Sequence, residues 1–128
     1  VIHPGLIGSM PAAVSAVLWP AFEQLEGVEL TAHFHNTRGQ GLANALAALQ
    51  TGCRSFESSF GELGGCPVPA GATGNIATED LVSMFEEMGV ATGVDLSALL
   101  GAVRDVLGRP LGSHTLVAGA IDWHGASS

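Results

Sequence analysis

The chain has 128 residues and 13.0 kDa, enough for one compact core and too little for two. Hydrophobic residues make up 47%, mean hydropathy is +0.39 and charged residues are 12%, about half the usual share of a soluble domain, which excludes disorder over most of the chain. No apolar run reaches the ~18 residues of a bilayer span, and a net charge of −8 with arginine as the sole base (Arg38, Arg54, Arg104, Arg109) offers no basic stripe to a phosphate backbone. Neither membrane nor nucleic acid is therefore expected as a partner.

The predicted elements begin at Ser9, an N-cap candidate, after which Val14, Val17, Leu18, Phe22 and Leu25 follow the i, i+3, i+4 rhythm of an amphipathic helix. Pro20 is expected to kink or split that helix near Ala16. Beyond Gly27 the pattern changes to alternation. Val28, Leu30, Ala32 and Phe34 share one face of a predicted strand, and Glu29, Thr31, His33 and His35 share the other. Leu42, Ala45, Leu46 and Leu49 mark a second helix, closed by Gly52, and Cys53 to Phe60 reads as another short strand.

Residues 61–75 hold five glycines and two prolines, longer than the ~12 residues a structureless loop usually reaches without a functional reason. Thr78-Glu79-Asp80 then opens a helix with Leu81, Phe85 and Met88 on its apolar face. Asp95 is placed to cap a last helix carrying Leu96, Leu99, Leu100, Val103 and Leu107. Two strands, each followed by a helix, are βα units of a parallel sheet. Two strands close no barrel, and the helices cover only one face of such a sheet. Together with an opening Val1-Ile2-His3 that has neither Met nor a signal-like segment, this reads as a piece of something longer.

His33 and His35, two apart on a strand, project from one face, which suits a shared metal ion; ordinary polar residues on a half-buried face fit as well. Cys66, between Gly64-Gly65 and Pro67, sits where a thiol could exchange a proton as a loop closes over substrate, whereas Cys53 at a strand start fits a buried, inert thiol. Two cysteines without CxxC spacing argue against a disulfide framework and a structural zinc site, and favour a reducing, cytoplasmic compartment. Asn75 fits either a helix N-cap or an amide-oxygen ligand of a hard cation. His3, His114 and His124 lack partner spacing.

The segment His33-Phe34-His35-Asn36-Thr37-Arg38-Gly39-Gln40, with Leu42-Ala43-Asn44 and Ala47-Ala48-Leu49-Gln50, resembles the seventh βα unit of the 3-hydroxy-3-methylglutaryl-CoA lyases. Leu63-Gly64-Gly65-Cys66-Pro67 and Gly71-Ala72-Thr73-Gly74-Asn75-Ile76-Ala77-Thr78-Glu79-Asp80-Leu81-Val82 resemble the loop and helix after their eighth strand. The resemblance implies an α/β fold: the last two βα units of a TIM (β/α)8 barrel plus a C-terminal helix, over residues 1–110, with a weakly ordered tail at 111–128. It implies His33, His35 and Asn75 as ligands of Mg²⁺ or Mn²⁺, Cys66 as the catalytic thiol, and Gly64, Gly65 and Pro67 as its substrate loop.

The implied reaction is cleavage of a 3-hydroxyacyl-CoA to acetyl-CoA and a keto acid. Related Claisen-type condensing enzymes share the His-x-His strand but carry a different segment where Gly-Gly-Cys-Pro stands here. A non-catalytic truncated barrel acting as an assembly module is the third reading. Asn36 and Glu57 stand where many of these lyases have Asp, and the family's first-strand Asp-x-x-x-Arg-Asp motif is absent. A homo-oligomer, or a chain supplying the missing strands, is therefore the expected partner, with the chain inactive alone.

Overall fold

A computed structural model describes residues 11–63 and 74–107, which fall into two compact units. The first holds the described residues 11–58 and 74–76: helix α1 (Pro11–Gln24), strand β1 (Thr31–His33), helix α2 (Gly41–Gln50) and strand β2 (Ser55–Glu57). The strands pair in parallel, with Thr31 opposite Ser55, Ala32 opposite Phe56 and His33 opposite Glu57. Parallel pairing needs a crossover connection, and α2 supplies it. This is the βα arrangement read from the sequence.

The core of this unit is built from Val14 and Leu18 of α1, Leu30, Ala32 and Phe34 on one strand face, Ala45, Ala47 and Ala48 of α2, and Cys53. The alternation holds from Leu30 onward, while Val28 is exposed, so the strand is shorter than its pattern. Helix α2 buries Gly41, Asn44, Ala45, Ala47 and Ala48, and its leucines are only half-buried. The expected leucine stripe thus gives way to small residues, because α2 runs close to its neighbours. A Cβ on Gly41 would lie 2.7 Å from Ile76 Cγ1 and 3.0 Å from the His35 carbonyl oxygen. Gly52, at φ +108°, ends α2 in a conformation that L side chains rarely adopt.

Helix α1 continues through Pro20 rather than splitting at Ala16. Pro20 costs one intrahelical hydrogen bond, but Val14 and Leu18 anchor the preceding turns in the core, and Leu25 N still donates to Ala21 O (2.9 Å) beyond it. Ser9 lies outside the described residues.

The second unit holds the described residues 59–63 and 77–107, with a 3₁₀ turn at Phe60–Glu62 and helices α3 (Thr78–Glu87) and α4 (Leu96–Leu107). Asp95 caps α4 as expected, its Oδ1 accepting from Ala98 N at 3.0 Å. Leu81, Val82 and Phe85 form the buried face of α3, whereas Met88, assigned to that face by periodicity, is exposed just beyond the last helical turn. Glu79 is fully buried in the first turn, and its Oε2 accepts from Gly61 N at 3.2 Å. Among the described residues no helix is long and apolar enough to cross a membrane.

Candidate metal centre

Strand alternation puts Thr31, His33 and His35 on the face opposite Ala32 and Phe34. The two imidazoles meet edge to face, ring centroids 5.3 Å apart and planes at 63°. His35 is buried and His33 half-exposed. His33 Nδ1 lies 3.0 Å from Glu57 Oε2, its partner across the parallel ladder, and one step earlier Thr31 Oγ1 and Ser55 Oγ are 2.9 Å apart.

Asn75 reaches the histidines through the backbone. It forms an isolated antiparallel bridge with His35, flanked by hydrogen bonds from Asn36 N to Gly74 O (3.0 Å) and from Ile76 N to Phe34 O (3.4 Å). The residue is not a helix cap, since α3 starts at Thr78 with Ala77 in the cap position. The start of α2 is held instead by Asn36, whose Oδ1 accepts from Gly41 N at 3.2 Å. The structure therefore brings His33, His35 and Asn75 to one place. Gly64, Gly65, Cys66 and Pro67 lie outside the described residues, as do His3, His114 and His124.

Two imidazole nitrogens and one amide oxygen are a chemically suitable partial donor set for a divalent cation. The Asn75 Oδ1 atom is buried, and among the described residues no donor hydrogen-bonds to it. Among the described residues no group of three His, Cys, Asp or Glu side chains could hold a metal ion. Cys53 is fully buried, with Sγ 3.5 Å from Leu30 O and 3.3 Å from Ser55 O, and burial pushes its thiol pKa up. It is a core residue.

Sequence reasoning missed Glu57 as a partner of His33. The signal was present in the polar alternation of Ser55 and Glu57, which matches that of Thr31 and His33, but the register that pairs them requires both strands in place.

The HMGL-like family profile matches residues 5–106, most of the chain. The chain belongs to the HMGL-like family. Among HMGL-like relatives, the (R)-citramalyl-CoA lyase of Chloroflexus aurantiacus is 48% identical over 106 residues, covering 80% of this chain and 33% of that protein. A hydroxymethylglutaryl-CoA lyase of Bacillus subtilis is 44% identical over 109 residues, 83% of this chain and 36% of that protein. The chain thus spans about a third of the length of these relatives. A solved HMG-CoA lyase from Acinetobacter baumannii, in complex with coenzyme A and 3-methylmalate, superposes with a TM-score of 0.81 at 44% identity, over 88% of this chain and 38% of that one. The α/β architecture here is that of part of a TIM-barrel lyase, as the two βα motifs implied.

Proposed function

We propose that this chain carries the metal-binding βα units of an acyl-CoA carbon–carbon lyase of the 3-hydroxy-3-methylglutaryl-CoA lyase type. The observation that carries this reading is the backbone bridge bringing Asn75 onto the His33–His35 face. The names of the HMGL-like relatives and the coenzyme A complex of one of them support it.

His33, His35 and Asn75 would hold Mg²⁺ or Mn²⁺. A divalent cation there supplies Lewis-acid polarisation of substrate oxygens. The reaction removes the proton of the C3 hydroxyl, breaks the C2–C3 bond and leaves its electron pair on C2 as the thioester enolate. A proton delivered to C2 completes acetyl-CoA, and C3 becomes the ketone of the keto acid. Cys66, in the loop with Gly64, Gly65 and Pro67, is the proposed proton donor. On this reading the substrate is an acyl-CoA.

The test is a chimera in which residues 11–107 replace the matching part of the Bacillus subtilis lyase. Acetyl-CoA release is followed from 3-hydroxy-3-methylglutaryl-CoA and from citramalyl-CoA. Chelator-sensitive release that His33→Ala abolishes is the expected result. A folded chimera that cleaves neither thioester would refute the lyase reading and favour a condensing enzyme or an assembly module.

A further inference from the structure

We propose that Glu57 is the positioning residue of the His33–His35–Asn75 site, fixing the His33 imidazole in the tautomer protonated on Nδ1. This rests on the divalent-cation reading above and names the group that prepares one of its ligands. A carboxylate can only accept a hydrogen bond, so the 3.0 Å contact requires His33 Nδ1–H as donor to Glu57 Oε2. Nε2 then carries the lone pair that the ring offers a cation. An imidazole bound through one nitrogen characteristically donates its other N–H to a carboxylate or carbonyl, which sets both tautomer and ring orientation.

The contact is built into the backbone. His33 and Glu57 are opposed residues of the parallel ladder, and Thr31 and Ser55 repeat the same side-chain pairing one step earlier. Arg54, the base nearest Glu57 in sequence, directs its guanidinium to the carbonyls of Leu49 and Cys53. The second ring is held differently, by its own burial and by the bridge to Asn75. His33 is the more exposed of the two, and so it gains most from a partner that stops the ring turning. Because Glu57 is itself more than half exposed, its loss is expected to leave folding stability nearly unchanged.

The experiment uses the chain with ¹⁵N-labelled histidine, first free of metal. Long-range ¹H–¹⁵N spectra should show His33 protonated on Nδ1 in the wild type and in Glu57→Gln, whose amide oxygen accepts the same bond, and a mixture of tautomers in Glu57→Ala. Mn²⁺ titration followed by electron paramagnetic resonance should show affinity falling about 10- to 100-fold in Glu57→Ala and recovered in Glu57→Gln. Retention of the wild-type tautomer, or of wild-type Mn²⁺ affinity, in Glu57→Ala would overturn the proposal. If the wild type binds no Mn²⁺, the cation reading fails, and the tautomer spectra still decide the role of Glu57: loss of the Nδ1–H form in Glu57→Ala supports it and persistence overturns it.

Discussion

Two buried positions show how single atoms constrain this fold. Cys53 has no exposed surface, and burial holds its thiol pKa above the ordinary value of about 8.5. A group whose pKa is raised by folding contributes stability that is complete below its unfolded value and is lost as pH rises through the folded one. Unfolding midpoints should therefore begin to drop as pH rises past the ordinary thiol value of about 8.5, with a smaller drop in Cys53→Ala. Under native conditions a thiol reagent should label Cys66, in its glycine-rich segment, much faster than Cys53; equal rates would show that Cys53 is not sealed. Gly41 makes the complementary case, in which space rather than dihedral freedom demands glycine. Alanine there gains about 1 kcal/mol in helix propensity. Its Cβ, however, meets Ile76 Cγ1, the His35 carbonyl and Asn36 Cα at 2.7, 3.0 and 3.1 Å. Two of those atoms are backbone and cannot swing aside, so overpacking wins. Gly41→Ala is expected to lose about 1–3 kcal/mol in denaturant unfolding, and the amide signals of His35 and Asn75 should move with it.

Among the elements, α1 is the place where local chemistry and tertiary packing disagree. An exposed proline in a helix interior costs about 3 kcal/mol relative to alanine, yet the helix runs through Pro20 because Val14 and Leu18 are fully packed on one side of the break. Pro20→Ala should therefore stabilise the chain by about 1–3 kcal/mol, after allowing for the greater freedom of the unfolded state. A lower midpoint in thermal unfolding would mean that the proline ring serves packing instead. The elements legible in the sequence were those whose signals agree: the alternation around His33 and His35, the Gly52 stop and the Asp95 cap. Where they conflicted, packing decided. The leucines of α2 yielded the core to Gly41, Ala45 and Ala48, and Met88 fell past the last turn. At the site, the histidine face follows from period-two alternation, whereas the arrival of Asn75 and the pairing of Glu57 depend on contacts across 40 and 24 residues, which local pattern does not encode.

At the level of the whole molecule, the donor set and the sheet lead to the same expectation for the isolated chain. His33, His35 and Asn75 provide only neutral donors, while Mg²⁺ favours carboxylate oxygens and water. Cation binding by this chain alone should accordingly be weak. The described sheet has two strands, β1 and β2, so each keeps one edge without a strand beside it among the described residues. Trp19, Val17 and Val28 are also exposed. Open strand edges and apolar surface promote association, and sedimentation should show the purified chain self-associating as concentration rises. Acetyl-CoA release from 3-hydroxy-3-methylglutaryl-CoA or citramalyl-CoA should be undetectable with the chain alone at saturating Mn²⁺. It should appear on mixing with a polypeptide that carries the remaining two thirds of an HMGL-like lyase, and it should vanish with chelator or with His35→Ala. Chelator-sensitive turnover by the chain on its own would mean instead that the remaining two thirds are dispensable for the reaction.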